Sequence, residues 1–413
     1  MNEWKRVLLG DILTLNYGKG LPQNERTEGN IPVYSSAGIT GFHSVYLVDK
    51  PGIIIGRKGT VGSVYYSNIP FYCIDTAYYL TQADTNENLI YIYYLLNFLP
   101  LKKMNTDSAV PGLNRNNVYN LIVNLPPLTI QRRIAAFLSS LDDEIENNRK
   151  TCEKLEEIAQ AIFKRWFVDF EFPNEEGLPY KSSGGEMVYC EELGQEIPKG
   201  WESISLSDVI DFQNGYAFKS NELIKDRTLE CYDVFKMGHI KRGGGINKEG
   251  TKSYIEKNKC LHLLKYVLKK GDLLMSMTDM KDNVAILGNT ALMDENDRYI
   301  VNQRVGLIRS NGKYNIYYPF LYFLTNNPIF VEDLRSRANR GVQVNLSTSE
   351  IKASKFPIPK NNLSLLKMFD DFGKHGLELY FSKSIETQAL QQLRDSLLPK
   401  LMSGELAVDE VEA

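Results

Sequence analysis

Histidine and cysteine are both scarce in this chain of 413 residues, with four of the first and five of the second. The histidines, His43, His239, His262 and His375, stand far apart and lack the short spacings of zinc sites, so no metal site is expected. The cysteines, Cys73, Cys152, Cys190, Cys231 and Cys260, are odd in number and form no CxxC pair, which fits a reducing compartment. Long apolar runs are missing: nothing approaches the roughly 20 residues of a membrane helix. Glu3 and Asp11 interrupt the N-terminal stretch, which argues against a secretory leader, and a cytoplasmic location is expected. Excess positive charge is lacking too, since the net charge is −3. That argues mildly against a nucleic-acid partner, but a binding face needs only a local basic surface.

Catalytic signatures are also absent. Asn124-Leu-Pro-Pro-Leu is the nearest approach to an adenine methyltransferase motif, yet Leu125 separates the asparagine from the prolines and no aromatic follows. Because it leads straight into a helical pattern, it reads as a helix-entering turn. Gly56-Arg-Lys-Gly-Thr lacks the spacing of a phosphate-binding P-loop. The tripeptides Glu3–Lys5 and Glu350–Lys352 have no Pro-Asp partner of the nuclease kind, and no helicase motif is present. A stand-alone enzyme is therefore disfavoured.

What is present is a repeat. Trp4-Lys-Arg-Val7-Leu-Leu9-Gly-Asp11-Ile12 aligns with Trp201-Glu-Ser-Ile204-Ser-Leu206-Ser-Asp208-Val209, and at the same offset Gly18 falls on Gly215. Val118-Tyr-Asn-Leu-Ile-Val-Asn-Leu-Pro126 aligns with Ile351-Lys-Ala-Ser-Lys-Phe-Pro-Ile-Pro359. Self-similarity of this kind marks a duplicated architecture. Inside the copies, short β-rich runs such as Ile53–Ile55, Val64–Tyr66 and Asp272–Met277 alternate with glycine and proline. Helices are expected over Asn88–Phe98 and Tyr317–Leu324. The organisation read from this is a mixed domain at 1–128, a long helix at 129–170, a Gly/Pro/Ser/Glu-rich linker at 171–200, a second mixed domain at 201–361, a second long helix at 362–405 and a tail at 406–413.

From Ile130 to Trp166 the apolar positions step by three and four: Ile134, Leu138, Leu141, Ile145, Asn148, Cys152, Leu155, Ala159, Ile162, Trp166. That is a heptad seam, with Asn148 as the polar residue that fixes register at some cost in stability. Thr129 is placed to cap the helix after Pro126-Pro127. The second helix, Ser364–Met402, is weaker: Phe369, Phe372, Leu379 and Ile385 lead to Leu390, Leu393, Leu397 and Leu401. Gly373 and Gly376 each cost about 1 kcal/mol relative to alanine, and Pro399 interrupts the backbone pattern. The two helices could be separate core helices or form a homodimeric coil. The repeat favours pairing within one chain, antiparallel, because each helix follows an equivalent domain.

Charge is segregated along the chain. Ten Lys/Arg and two Glu lie between Lys236 and Lys270, whereas Asp142, Asp143, Glu144, Glu146, Glu153, Glu156 and Glu157 crowd the first long helix. Three basic clusters are candidate DNA contacts. Arg57 and Lys58 stand in the glycine-bounded loop Gly56–Gly62, where they could contact DNA or form an ordinary solvated hairpin tip. Lys241 and Arg242 precede Gly243-Gly244-Gly245, read as a flexible basic loop suited to phosphate contact or simply as solvated surface. Arg335, Arg337 and Arg340 cluster in sequence. Most of the 24 tyrosines are expected in cores and sheets.

At this point the chain resembles the specificity subunits of type I restriction-modification systems. The matching pieces are Leu125-Pro126-Pro127-Leu128 with Gln131-Arg-Arg-Ile134-Ala-Ala-Phe-Leu138 and Leu141-Asp142, then Ile197-Pro-Lys-Gly-Trp201 with Leu206-Ser-Asp208-Val209, and finally Leu397-Leu-Pro-Lys-Leu-Met-Ser-Gly404-Glu-Leu406. Arg57-Lys-Gly59-Thr-Val-Gly62 is also frequent in that family's recognition domains. Departures are Gln131-Arg132, where members often carry Glu-Gln, and Phe356-Pro357-Ile358-Pro359, which lacks adjacent prolines. The resemblance implies an α+β fold: two mixed α/β target-recognition domains in internal repeat, separated by a long antiparallel two-helix coiled coil. It implies that each domain reads half of a bipartite site in double-stranded DNA while the coil sets the gap. It also implies two methyltransferase subunits and two restriction motor-nuclease subunits as partners, with AdoMet, ATP and Mg on those partners and no cofactor or catalytic residue in this chain. The seam residues Ile134, Leu138, Leu141, Ile145, Leu155, Ile162, Trp166, Leu390, Leu397 and Leu401 become the spacer and partner surface. The competing class is a coiled-coil scaffold for two protein partners that reads no DNA.

Overall fold

The computed structural model describes residues 4–104, 112–248, 250–280, 284–341, 343–360 and 363–410. The chain forms two compact units, Met1–Arg149 with Ile385–Ala413, and Lys150–Ser384. Both long helices, Leu128–Phe163 and Leu363–Ser403, contribute to each unit.

In the first unit a four-stranded antiparallel sheet runs in the order Asn16–Tyr17, Ala77–Thr81, Gly52–Gly56, Val64–Ser67. A three-stranded sheet sets Ile31–Ser35 between Gly38–His43, antiparallel, and Tyr72–Cys73, parallel. The central strand Gly52–Gly56 is an unbroken apolar run because both its faces are covered. Side chains alternate across a strand. Ile53 and Ile55 therefore enter one core with Leu95, Ile134 and Leu138, while Ile54 enters another with Tyr34 and Phe71. The helix Leu89–Phe98 is capped by Asn88, whose side chain accepts from the Tyr91 amide at 2.9 Å.

The second unit repeats this plan. Its four-stranded sheet has the order Ile210–Asn214, Val305–Ser310, Leu273–Ser276, Thr290–Leu292, so in both units the first strand pairs with the last. Its three-stranded sheet sets Cys231–Phe235 between Tyr254–Glu256, antiparallel, and Tyr299–Val301, parallel. Again the central strand is buried on both faces: Leu273 and Met275 in one core, Leu274 in another. A strand pair closes each copy, Lys5–Leu8 with Ile122–Leu125 and Trp201–Ser205 with Lys355–Pro359.

The first long helix begins at Leu128, so Thr129 lies within its first turn and does not cap it. The turn is held instead by Gln131, fully buried, whose amide donates to Pro126 O at 2.9 Å and to Glu87 at 2.6 Å. Ile134 and Leu138 are buried in the first unit's core with Leu401, and Leu397 packs on it. Leu141, Ile145, Leu155 and Leu390 are half-buried. Towards the end of the helix the most buried positions are Ala159, Phe163 and Phe167, with Ile162 and Trp166 packed at their edge. A π-helical turn, Lys164–Val168, follows Phe163. The second long helix runs through Pro399 without ending there. It buries Leu366, Phe369, Leu377 and Phe381, whereas Phe372, Leu379, Ile385 and Leu393 are exposed. Gly373 has a packing role: a Cβ there would come within 3.0 Å of Pro319 Cβ.

Within the first unit Arg394 Nη1 donates to Asp142 at 2.5 Å, and Tyr94 Oη donates to the same carboxylate at 2.6 Å. Within the second, Cys152 Sγ lies 3.6 Å from Tyr380 O, and the Phe163 and Phe369 rings meet at 5.5 Å.

Candidate nucleic-acid interface

In the first copy, strand Gly52–Gly56 delivers the chain to Arg57. The amides of Arg57 and Lys58 both donate to Thr76 O, at 2.9 and 3.0 Å, and the Gly62 amide closes the loop on Gly56 O at 2.8 Å. Gly62 needs its positive φ of 72°, and a Cβ there would sit 2.3 Å from the Leu101 carbonyl carbon. The loop is thus a fixed platform. Lys58 is exposed at its tip, and Arg57 is half-buried and turned inward.

The Arg57 guanidinium carbon stands 4.9 Å from the Tyr17 ring centroid, and Arg115 approaches the same ring at 5.0 Å from the short helix Arg115–Tyr119. Tyr78 meets Tyr17 edge-on at 5.1 Å and anchors its own hydroxyl on Leu113 O at 3.0 Å. Burial, then the neighbouring Tyr17, pushes the Tyr78 phenol above its ordinary pKa. These groups line a cleft of about 500 Å³ that also holds Lys58 and, among the described residues, no acidic side chain. Sequence reasoning found Arg57 and Lys58 but missed Tyr17, Tyr78 and Arg115. The available signal was Tyr17 itself: it precedes the shared Gly18, and the aligned residue before Gly215 is Asn214.

In the second copy, Lys241 and Arg242 are exposed, but their loop is a tight turn, contrary to the expected flexible segment. Gly243, Gly244 and Gly245 all have positive φ, the Lys241 amide donates to Gly245 O at 2.9 Å, and Gly245 donates to Thr290 O at 3.0 Å. A Cβ on Gly244 would strike the Asn326 side chain at 2.6 Å. Three glycines here serve geometry more than freedom.

The arginine cluster separates in space. Arg335 is a structural clamp on the preceding loop, donating to Leu287 O at 2.9 Å and Ala285 O at 3.1 Å. It also shares Asn289 Oδ1 with the Gly243 amide, which ties it to the glycine turn. Burial, and the like charge of Arg242, lower its pKa. Arg337 is engaged with Asp333 at 2.5 Å. Arg340 closes the strand Asn339–Arg340, and its side chain lies outside the described residues. His239 is buried under the turn, and that burial lowers its pKa. Among the described residues no group of three or more His, Cys, Asp or Glu is placed to hold a metal, all five cysteines are free, and no helix is long and apolar enough to cross a membrane.

Several backbone hydrogen bonds of one copy recur at matching positions of the other. Gly18 N to Ala77 O, at 3.1 Å, answers Gly215 N to Val305 O, at 3.0 Å. Arg57 N to Thr76 O, at 2.9 Å, answers Met277 N to Arg304 O, at 3.0 Å, and Leu113 N to Arg57 O answers Leu346 N to Met277 O, both 2.8 Å. One scaffold presents two different mouths, which defines a two-headed recognition protein.

Comparison with known proteins names the class. The family model described as the type I restriction modification DNA specificity domain matches residues 1–157 and 198–379. The chain belongs to that family: it is a type I specificity subunit, which selects the DNA target and leaves the chemistry to other subunits. It is 28% identical over 387 residues to the type I restriction enzyme MjaIX specificity subunit of Methanocaldococcus jannaschii, covering 89% of this chain and 80% of that one. The MjaVIII specificity subunit of the same organism is 24% identical over 423 residues, covering 98% and 93%. The fold resembles the crystal structure of a type I restriction-modification S subunit from M. genitalium, with a TM-score of 0.61 at 18% identity over 97% of this chain and 96% of that one.

Proposed function

We propose that this chain reads a bipartite site in double-stranded DNA, the domain at 1–128 taking one half and the domain at 201–361 the other. The observation that carries this reading is the recurrence of one sheet order and one set of backbone bonds around different mouth residues. The two long helices pair antiparallel as a coiled coil and fix the gap. The Asp142–Arg394 contact in one unit and the Cys152–Tyr380 contact in the other support that direction. Two methyltransferase subunits dock on the helices, for which Phe372, Leu379, Ile385 and Leu393 offer exposed apolar side chains, and two motor-nuclease subunits join them. AdoMet, ATP and Mg belong to those partners, and the complex works in the cytoplasm. Mapping methylated adenines in a host carrying the system, then exchanging residues 1–128 for the matching domain of a relative, tests this. One half-site should change and the other stay. A change in both halves refutes independent reading, and duplex binding without steep salt dependence favours a pure scaffold.

A further inference from the structure

We infer that Arg57 and Arg115, gathered on Tyr17, are the base-reading residues of the first copy, and that the matched position in the second copy, Asn214, Met277 and Thr348, reads its half-site without a guanidinium. This rests on the reading of the chain as a two-headed DNA reader.

The correspondence follows from the backbone. Lys58 bridges Gly112 where Thr278 pairs with Asn345, so Arg57 answers Met277. Asn114 and Ser347 are the caps of the short helices Arg115–Tyr119 and Thr348–Ala353, so Arg115 answers Thr348. Tyr17 answers Asn214, each just before the shared glycine. The contact across the mouth is preserved while its chemistry changes: Arg115 lies over Tyr17 in one copy, and Thr348 Oγ1 donates to Asn214 Oδ1 at 3.0 Å in the other. A position held by the scaffold in both copies but filled differently is where two specificities on one fold should diverge.

The first mouth is built for an acceptor. Among the described residues neither Arg57 nor Arg115 has a carboxylate partner, unlike Arg298, Arg309, Arg337 and Arg394. Each is positioned through a backbone carbonyl, Arg57 on Asp75 O and Arg115 on Leu15 O, both at 3.3 Å, which leaves much of each fork for a ligand. Among the described residues Arg115 Nε is buried without a hydrogen-bond partner. An aromatic ring orients a guanidinium plane. Two adjacent acceptors matching that fork are the O6 and N7 of guanine in the major groove. The second mouth offers an amide and a hydroxyl, shorter and neutral.

The test uses the complex with its methyltransferase subunits and duplexes randomised at each half-site position. For Arg57→Ala with Arg115→Ala, discrimination at one or more guanines of a single half-site should fall roughly ten- to hundredfold, with the other half unchanged as an internal control of folding. Asn214→Ala with Thr348→Ala should relax the other half only. Should the alanine pair fail to assemble, Arg57→Lys with Arg115→Lys keeps the charge, loses the fork, and should relax the same guanines. A wild-type complex with no bipartite motif overturns the two-headed reading and this inference with it. A bipartite wild-type motif that survives unaltered in the arginine variants overturns this inference alone. So does a uniform loss over all sequences, with the salt slope lowered by about one per arginine, because that marks phosphate contact.

Discussion

Asp370 makes the second unit's stability depend on pH in an unusual direction. It lies on the second long helix, 6% exposed, with Oδ1 lacking a hydrogen-bond partner among the described residues. Burial lifts its pKa from the ordinary 3.8 to about 6; the neighbouring Asp371 adds to this, while the amides of Phe320 and Tyr317 and the charge of Lys374 pull it back. Between about pH 4 and 6 the folded chain therefore holds a proton that the unfolded chain has lost. Stability must fall as pH rises through that window and level off above it. A shift of about two units caps the effect near 3 kcal/mol at about 1.4 kcal/mol each; with partial screening, about 1–2 kcal/mol remains. Asp370→Asn should recover that amount at pH 8, raising the unit's melting temperature by roughly 2–8 °C at about 2–4 °C per kcal/mol. The gain should vanish near pH 4. Trp166 and Trp201 both belong to this unit, so their fluorescence during thermal unfolding of the full chain reports it, with Trp4 replaced by Phe. A gain that persists undiminished at pH 4, or wild-type stability that climbs from pH 4 to 6, refutes the reasoning.

Other outcomes follow from equally local features. Asn148 is fully buried with neither amide atom partnered among the described residues, so Asn148→Leu should stabilise the first unit by about 1–3 kcal/mol in denaturant unfolding, while loosening helix register. Ile54→Ala should cost about 2–5 kcal/mol by the same measurement, because the side chain is wholly enclosed beside Tyr34 and Phe71. Gly62→Ala adds a side chain at positive φ against Leu101, and should destabilise the first unit and disturb the Arg57 platform, lowering DNA affinity together with melting temperature. Lys241→Ala with Arg242→Ala should weaken duplex binding and lower its salt slope by about one per lost phosphate contact; an unchanged slope assigns that turn to solvent or protein.

The duplicated plan was legible in the sequence because the strand pairs that close each copy carry recognisable residues, Trp4 and Trp201 at one end and Pro126 and Pro359 at the other. The helix Leu89–Phe98 and strand Gly52–Gly56 were legible for the same reason, local pattern agreeing with burial. The helix seam was legible at Ile134, Leu138, Asn148 and Ala159, and slipped towards its end. A heptad reading led to Ile162 and Trp166, whereas Phe163 and Phe167 are the most enclosed. A straight α-helix drifts from a strict seven-residue repeat, and here a π turn follows as well. The second helix misled more, because Phe372, Leu379, Ile385 and Leu393 obey the period yet face outward. Periodicity states which residues share a face, and cannot state whether this chain or another protein covers it. The arginine cluster at the end of the helix Pro328–Ser336 dispersed for a related reason. Arg335 and Arg337 are neighbours in sequence, but one clamps carbonyls and the other a carboxylate. Arg115, far from any basic run, joins Arg57 through the fold.

The division of labour between backbone and side chain explains how one scaffold can carry two specificities. Around the first mouth the main chain does the fastening: the amides of Arg57 and Lys58 hold Thr76 O, and Arg57 O accepts from Leu113. Met277 makes the equivalent main-chain bonds with no guanidinium at all. Replacing the side chain at that position therefore leaves the ladder intact. The buried positions behind it, Ile53, Ile55 and Leu80 in one copy and Leu273, Met275 and Ile308 in the other, remain apolar and enclosed because they carry the packing energy. Stability is stored one layer beneath the surface that reads the ligand. A change of target at the mouth should then cost little folding free energy, while a change in the layer below should cost stability first and alter recognition only through it.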